Sequence, residues 1–246
     1  MNLPLQHKTA LVTGSSRGIG AAIAQRLARD GAEVIVHYGS GEAEAHQVVK
    51  EITDRGGRAG AVQADLSAAE GPSRLAAAVG ARRIDILVNN AGVAPFASVE
   101  EMDETSYDRL SNVNMRSLFF VTQKILPRMP DGGRIINLSS VVARTAFAGI
   151  PAYSATKGFV DTLTIHLAAA LGARGITVNA VAPGAIDTRM SEWIHAPGGQ
   201  EALKQMQALP GIGQPEHIAS VVAFLAGPEA AWTTGVVLEA SGGTKL

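Results

Sequence analysis

The feature that most limits the possible folds is a regular alternation of short apolar segments with longer segments of helical periodicity. The apolar segments predict strands at residues 9–13, 33–37, 58–64, 84–88, 134–138, 175–181 and 234–239. The segments between them predict helices over 18–29, 42–54, 68–79, 103–129, 153–172 and 215–226, with 103–129 as two helices that break near Ser111. Such alternation is typical of an α/β protein with a doubly wound, mostly parallel sheet of about seven strands and helices on both faces.

No change in composition, charged run or internal repeat divides the 246 residues, so one domain over 1–246 is expected. Residues 188–213 depart from the regular pattern, because they contain many Gly and Pro residues and only two weakly helical stretches. A long irregular segment after the carboxyl end of a strand often covers a ligand cleft. We therefore expect residues 188–213 to form a substrate lid.

The composition argues against several classes of function. The formal net charge of −1 is unlike that of a general nucleic-acid or membrane binder. The chain has no Cys, and its six His residues lack the close spacing of a metal site, so no metal is expected. No apolar run reaches the roughly 18 residues of a membrane span, and residues 1–8 have no signal-like apolar core. A cytoplasmic location is the expectation.

A glycine-rich segment, residues 13–20 (TGSSRGIG), lies between the first predicted strand and the first predicted helix. In doubly wound, Rossmann-type folds this turn binds the pyrophosphate of a dinucleotide, because Gly lets the backbone approach and the helix start offers free N–H groups. The spacing G-x-x-x-G-x-G differs from the common G-x-G-x-x-G, and a tight turn without a ligand is the alternative. The predicted cofactor contacts here are Gly14, Ser16, Arg17, Gly18, Ile19 and Gly20.

The residues after the second strand indicate which dinucleotide would bind. An acidic residue at this point binds the 2′-hydroxyl of NAD and repels the 2′-phosphate of NADP. The chain instead has His37, Tyr38 and Ser40, with no carboxylate among them. Arg17 could pair with a phosphate, and Ser40 could donate a hydrogen bond to it. NADP(H) is therefore predicted in preference to NAD(H), with a solvated Arg17 as the alternative.

Tyr153 and Lys157 are four residues apart in a predicted helix, so their side chains lie on one face. A nearby ammonium favours the phenolate and lowers the pKa of a Tyr, which makes a general acid/base for neutral pH. Ser140, thirteen residues before Tyr153, follows the fifth strand and could hold a reacting oxygen. A Tyr and a Lys at this spacing also occur together by chance, so the pair is informative only with the other motifs.

Together these motifs resemble those of the short-chain dehydrogenase/reductase family in its single-domain form. The resemblance runs along the whole chain, and its further matches are Asp65-Leu66, residues 89–92 (NNAG), Asn114, Ser139-Ser140, Pro183-Gly184 and Thr188. Within the family, the chain is most similar to 3-oxoacyl-[acyl carrier protein] reductase-like ketoreductases. The Tyr-to-Lys spacing differs from the wider spacing of the enoyl reductase branch.

The resemblance implies an oxidoreductase that interconverts a ketone and a secondary alcohol with NADP(H). Tyr153 would be the general acid/base, Lys157 would lower the pKa of Tyr153 and bind the nicotinamide ribose, and Ser140 would hold the substrate oxygen. Asn114 would anchor a water molecule that relays protons to Lys157. The remaining cofactor contacts would be Asp65, Leu66, Asn90, Ala91, Gly92, Pro183, Gly184, Ile186 and Thr188.

Several alternatives stay open at this point. Asp65 is also a plausible helix cap, Asn90 a turn residue and Asn114 an ordinary polar residue of a helix. The carbonyl substrate is either a 3-oxoacyl thioester or a small molecule, and residues 131–133 (DGG) lie where acyl-carrier reductases tend to be basic. An NAD(H)-dependent alcohol, sugar or steroid dehydrogenase of the same family, or a non-catalytic NADP(H)-binding sensor, would also fit. The family commonly forms homodimers and homotetramers, and the same is expected here.

Overall fold

The structure is a computed structural model that describes residues 3–245. Its strands in this range are β1 Thr9–Val12, β2 Glu33–Tyr38, β3 Arg58–Gln63, β4 Ile86–Asn89, β5 Arg134–Leu138, β6 Thr177–Pro183 and β7 Val237–Ala240. They form one seven-stranded sheet in the order β3-β2-β1-β4-β5-β6-β7, and every neighbouring pair is parallel. The predicted doubly wound parallel sheet is confirmed. The chain reverses its winding between β1 and β4, where such sheets open a crevice for ligands.

Helices cover both faces of the sheet. They are α1 Gly18–Arg29, α2 Glu42–Asp54, α3 Gly71–Val79, α4 Glu104–Ser111, α5 Ser117–Ile125, α6 Pro151–Leu171, α7 Gly199–Met206 and α8 Pro215–Ala226. One core layer lies under α1, α2 and α8, and the other under α3, α5 and α6. Successive strand residues point to opposite faces, so Leu11 packs in one layer and Val12 in the other. Within residues 3–245, no helix is long and apolar enough to cross a membrane.

Most predicted boundaries agree with the structure to within a few residues, and α1, α2, α8 and β5 have the predicted bounds. Helix α6 begins at Pro151, two residues before the predicted start, because Pro suits the first helical turn, where its missing N–H costs nothing. The predicted division into two helices near Ser111 is confirmed, because α4 ends at Ser111 and α5 begins at Ser117. The two helices are joined by a π-helical turn, Asn112–Arg116.

The two ends of the lid segment, residues 188–213, lie next to each other in the structure. Ile186 and Gly213 form an isolated parallel bridge, and the N–H of Asp187 donates to the Gly213 carbonyl at 2.8 Å. Between these points lie a kinked 3-10 segment, Arg189–His195, and α7. The two weakly helical stretches expected from the sequence are therefore present, at the carboxyl end of β6.

Candidate active site

The loop between β1 and α1 is held by close backbone contacts that only Gly allows. Gly14 and Gly18 have φ angles of 63° and 53°, in the left-handed region. A Cβ on Gly14 would lie 2.9 Å from the Cα of Ala91, and a Cβ on Gly20 would also collide with its neighbours. Arg17, which precedes α1, makes no side-chain hydrogen bond that caps the helix. The first N–H groups of α1 are therefore available to an anion, and the loop has the properties of a phosphate cradle.

Asn90, which is expected to line the cofactor site, holds the glycine loop with its side chain. Its Nδ2 donates to the carbonyls of Thr13 and Gly14, both at 2.9 Å. The Thr13 hydroxyl accepts the N–H groups of Asn90 and Ala91, both at 3.0 Å. These bonds join the loops after β1 and β4, so Asn90 acts on the cofactor site through the glycine loop. Ala91 and Gly92 border that loop with their backbone.

His37 is a second support of the glycine loop, and the structure corrects its assignment as a direct cofactor contact. The side chain is only 2% exposed. Its Nδ1 accepts the N–H of Gly14 at 2.9 Å, and its Nε2 lies 3.0 Å from the Ala64 carbonyl. These two partners assign a neutral imidazole with its proton on Nε2. Burial lowers the pKa of His37 to about 4, and the hydrogen bond to Ala64 only partly opposes this.

Three polar side chains meet beside Gly41, just after β2, at the expected position of a 2′-phosphate. A Cβ on Gly41 would lie 3.1 Å from Oγ of Ser16, 3.2 Å from Oε2 of Glu44 and 3.3 Å from Nη2 of Arg17. Ser40 is exposed beside them. Tyr38 is different, because its ring is buried in the core layer with α1 and α2, so its side chain is not a cofactor contact. Ser16 and Arg17 are thus the groups best placed to select NADP(H).

Asp65 and Leu66 follow β3 and differ in what they offer a ligand. Oδ1 of Asp65 accepts the hydroxyl of Ser67 at 2.7 Å and its N–H at 2.9 Å. These hydrogen bonds from Ser67 lower the pKa of Asp65, so the exposed carboxylate is ionised at neutral pH. Asp65 does not cap α3, which begins later at Gly71. The Leu66 side chain is buried in the core, so only its backbone can face a ligand.

Asn114 lies on the π-helical turn between α4 and α5 and is buried. Such turns are frequent at functional sites. Its Oδ1 accepts the N–H of Val93 at 2.9 Å, and its Nδ2 donates to the Val93 carbonyl at 2.9 Å and to Oγ1 of Thr156 at 3.1 Å. A Cβ on Gly92 would lie 3.5 Å from Oδ1 of Asn114 and 3.8 Å from Nζ of Lys157. The predicted neighbourhood of Asn114 and Lys157 is therefore present.

Tyr153 and Ser140 come together from different elements. Tyr153 is in the first turn of α6, and Ser140 follows β5, where its Oγ accepts the N–H of Val142 at 3.4 Å. Burial raises the pKa of Tyr153 to about 12, although part of the residue is exposed, and a hydrogen bond with Ser140 lowers it in part. For the protein alone, the predicted lowering of the Tyr153 pKa is not found. The cost of desolvating the phenolate exceeds the effect of the hydrogen bond with Ser140.

Lys157 points into the same cleft as Tyr153, as the four-residue spacing predicts. The residue is 6% exposed. Its Nζ donates to the Leu138 carbonyl at 2.8 Å and lies 5.6 Å from the centre of the Tyr153 ring. Burial lowers the pKa of Lys157 to about 8, and the charge of Asp161 acts in the opposite direction. Lys157 is therefore mostly protonated at neutral pH.

The segment after β6 borders the glycine loop. A Cβ on Gly18 would lie 3.3 Å from Cγ2 of Thr188, which places Thr188 directly beside the phosphate cradle. Gly184 is required by packing, since a Cβ there would lie 2.8 Å from the Cα of Ser241. The side chain of Ile186 is buried in the core layer, so a contact of Ile186 with the cofactor would come from its backbone.

Sequence reasoning missed Asp161, which lies one helical turn after Lys157. Its Oδ1 accepts the hydroxyl of Ser139 at 2.5 Å, and its Oδ2 accepts Nε of Arg144 at 3.2 Å. The side chain is 13% exposed, so the carboxylate acts on its surroundings with little solvent screening. The four-residue spacing from Lys157 to Asp161 was the available signal. The adjacent Ser139, set aside in favour of Ser140, orients this carboxylate.

Comparison with known proteins agrees with this geometry. The sequence matches the family model described as Enoyl-(Acyl carrier protein) reductase over residues 14–245. An uncharacterized oxidoreductase of Methylorubrum extorquens is 45% identical over 98% of this chain and 99% of its own length. A hydroxynaphthalene reductase-like protein of Metarhizium brunneum is 40% identical over 98% of this chain and 96% of its own length. The fold and these matches define an oxidoreductase with a dinucleotide-binding architecture. The chain belongs to the short-chain dehydrogenase/reductase family, as its motifs indicate.

Solved structures give the same result. The angucycline C-6 ketoreductase LanV, with bound NADP, superposes with a TM-score of 0.93 at 43% identity and covers 98% of this chain and 96% of its own. LugOII, a promiscuous reductase that catalyses keto-reduction at C1 during lugdunomycin biosynthesis, has a TM-score of 0.94 at 42% identity over 99% and 100%. A blue fluorescent protein from a metagenomic library, in complex with NADPH, has a TM-score of 0.92 at 41% identity over 99% and 100%.

Proposed function

We propose that this oxidoreductase is an NADP(H)-dependent ketoreductase that interconverts a ketone and a secondary alcohol. One observation carries the proposal: Ser140, Tyr153, Lys157 and Asn114 meet in a cleft at the carboxyl ends of the strands, beside the glycine loop. A protein that only senses a dinucleotide needs the loop. A carbonyl reductase also needs a proton donor and groups that stabilise charge on the substrate oxygen, and the cleft supplies both.

The residues present fit NADP(H). The glycine loop gives the close backbone approach and the free N–H groups that a pyrophosphate requires. Ser16 and Arg17 converge beside Gly41, where they would bind the 2′-phosphate through charge-assisted hydrogen bonds. Oε2 of Glu44 lies at the same point and would have to move away from the phosphate. LanV and the blue fluorescent protein, both similar to this chain, bind NADP and NADPH, which supports the assignment. When bound, NADPH supplies the hydride for the carbonyl carbon.

The side chains in the cleft would manage charge and protons at the carbonyl oxygen. The hydroxyls of Ser140 and Tyr153 would both donate to that oxygen and stabilise the negative charge that develops on it. With its pKa raised to about 12, Tyr153 carries its phenolic proton at neutral pH and would donate it to the oxygen as the general acid. The ammonium of Lys157 would stabilise the resulting phenolate. Asn114 lies beside Lys157 and would anchor a water molecule that returns the proton.

For the substrate we favour a bulky apolar ketone over an acyl-carrier thioester. Apolar side chains are exposed on the lid segment and on the loop after β4: Phe96 is 62% exposed, Met190 42% and Trp193 37%. Arg174, the basic residue best suited to an acyl carrier protein, is paired with Asp131 at 3.0 Å. LanV is named as an angucycline C-6 ketoreductase and the Metarhizium brunneum relative as a hydroxynaphthalene reductase-like protein, which supports the same choice.

The direct test is NADPH oxidation with a panel of carbonyl compounds, compared with NADH. The panel contains cyclohexanone, the fused-ring α-tetralone, an acetoacetyl thioester and, because of the family model, an enoyl thioester. We expect the highest kcat/KM for α-tetralone with NADPH and no oxidation with the enoyl thioester. Tight NADPH binding without turnover on any carbonyl would instead support the sensor, and turnover of only the enoyl thioester would identify a C=C reductase.

We further propose a homodimer or homotetramer. Phe119 on α5 and Ile165 on α6 are 40% and 53% exposed, and Phe224 on α8 is 42% exposed. Exposed apolar side chains on outer helices often form the interfaces between identical chains. Light scattering at micromolar concentration should give the mass of two or four chains, and the mass of one chain would refute the proposal. The cytoplasmic location stays a prediction.

A further inference from the structure

The two residues assigned to the substrate oxygen, Ser140 and Tyr153, are joined by a loop. We call residues 144–150 the substrate loop, because its position sets the space beside the carbonyl. It is held at its start by the pair between Arg144 and Asp161 at 3.2 Å. Beyond this point, the N–H of Thr145 donates to the nearby Val141 carbonyl at 3.0 Å, and among the described residues one further hydrogen bond reaches residues 145–149 from a distant segment. That bond therefore ties the middle of the substrate loop to the rest of the protein.

The bond comes from Lys245, which lies after β7. Its Nζ donates to the Ala146 carbonyl at 2.6 Å. The same ammonium lies 3.9 Å from the centre of the Phe147 ring, which is a close cation–π contact. Two neighbouring residues of the substrate loop are therefore held by one side chain, through a hydrogen bond and through the face of an aromatic ring.

The backbone of the same residue is bound to the end of the lid segment. The N–H of Lys245 donates to the Met206 carbonyl at 2.7 Å, and Thr244 and Gln207 form an antiparallel bridge. The N–H of Leu209 donates to the Gly242 carbonyl at 2.9 Å. Lys245 thus joins the two walls of the substrate space, the lid with its backbone and the substrate loop with its side chain.

The backbone conformation of Lys245 is unusual for a residue with a side chain. Its φ is 49°, in the left-handed region that residues with a Cβ seldom adopt. Such a conformation persists only where the surroundings fix it, and it is concentrated at functional sites. Here the surroundings are the lid on one side and the substrate loop on the other.

We propose that Lys245 is a specificity-determining residue that fixes the substrate loop against the lid and so sets which carbonyl substituents the cleft accepts. The inference rests on the proposed ketoreductase function. It requires no contact between Lys245 and the reacting atoms, so Lys245 is a positioning residue. Its effect should depend on the bulk of the ketone and should leave cofactor binding unchanged.

The test compares Lys245→Met, which keeps the length but removes the charge, with Lys245→Arg and Phe147→Leu. We expect Lys245→Met to raise the KM for α-tetralone about fivefold, with less than about a twofold change for cyclohexanone and for the Kd of NADPH. Lys245→Arg should have a KM for α-tetralone close to that of the wild type, since it keeps the charge and the cation–π contact. Lys50→Met on α2, an exposed lysine outside the lid and the substrate loop, is the control for loss of a lysine. Equal KM changes for both ketones, or none for α-tetralone, would overturn the proposal.

A second measurement does not depend on turnover. Amide hydrogen exchange of the NADPH-bound protein should be faster in Lys245→Met within residues 145–149 and 206–209, and unchanged in residues 13–20. Unchanged exchange in the first two segments would refute the role of Lys245. If the wild-type protein reduces no ketone but these segments respond as expected, the proposed function fails and the connection between lid and loop stands.

Discussion

The backbone N–H of Gly14 donates a hydrogen bond of 2.9 Å to Nδ1 of His37, and this contact makes the cofactor loop sensitive to acid. The bond exists only while Nδ1 carries no proton. Burial lowers the pKa of His37 from 6.5 to about 4, so the folded protein keeps the imidazole neutral over the physiological range. His37, which the sequence assigns to cofactor binding, therefore acts on the cofactor site indirectly, by supporting the glycine loop.

Acid should destabilise the fold through this residue. Between pH 6.5 and about 4 the unfolded chain binds a proton at His37 and the folded chain does not. The contribution of neutral His37 to the free energy of unfolding is therefore fully present above pH 6.5 and is lost as the pH falls toward 4. The loss should be on the order of 3 kcal/mol. His37→Asn should remove this part of the pH dependence, measured by urea unfolding at several pH values. Exposed His46→Asn is the control, and the same pH dependence in His37→Asn and wild type would contradict the account.

Arg17 should determine the preference for NADPH. Arg17→Ala removes a guanidinium that converges with Ser16 on the end of β2, so we expect the KM for NADPH to rise about tenfold and the KM for NADH to change little. Arg29→Ala, at the other end of α1, removes the same charge far from this point and should affect neither. Equal changes for both cofactors in Arg17→Ala would remove the 2′-phosphate assignment.

Gly20 should tolerate no side chain. A Cβ there would lie 2.5 Å from Nδ2 of Asn90 and closer still to the Gly14 carbonyl, so Gly20→Ala must displace the bonds that hold the glycine loop. We expect a loss of about 1–3 kcal/mol in the free energy of unfolding and weaker NADPH binding by fluorescence titration. At Gly60 a Cβ would meet nothing within 4 Å, so Gly60→Ala is the matched control. Wild-type affinity in Gly20→Ala would show that the loop does not bind the cofactor.

Asp161 should set the alkaline limit of activity through Lys157. Burial lowers the pKa of Lys157 to about 8, and the Asp161 carboxylate raises it. Asp161→Asn should therefore lower the Lys157 pKa further, so that the alkaline limb of the kcat/KM profile moves to lower pH. Exposed Asp108→Asn should leave the profile in place. An unchanged alkaline limb in Asp161→Asn would mean either that activity does not require a protonated Lys157 or that Asp161 does not raise the pKa of Lys157.

The sequence predicts the sheet and the location of the site well because both depend on local patterns. Strand periodicity is read over a few residues, and in a parallel sheet the carboxyl ends of the strands meet at one edge, so Gly14, Asn90, Ser140 and Thr188 are expected near one another. The orientation of single side chains is harder. β2 is covered on both faces, so His37 and Tyr38 are both buried although they point in opposite directions.

Other features depend on contacts between distant segments. Asn90 turns toward Thr13 and Gly14, and the π-helical turn at Asn114 places its amide on the backbone of Val93. The pKa of Tyr153 follows from burial, which the spacing of Tyr153 and Lys157 does not reveal. Lys245 joins the lid to the substrate loop across a separation of 99 residues in sequence from Ala146, which local patterns do not reveal.

The central claim is that the Tyr153 hydroxyl donates the proton to a ketone oxygen, and the most direct test is the turnover of Tyr153→Phe with NADPH and α-tetralone. The substitution removes one oxygen atom and keeps the ring, so the cleft should keep its shape. We predict a loss of about 10²-fold to 10⁴-fold in kcat with an unchanged Kd for NADPH. A wild-type kcat in Tyr153→Phe would contradict the mechanism, whatever the identity of the natural substrate.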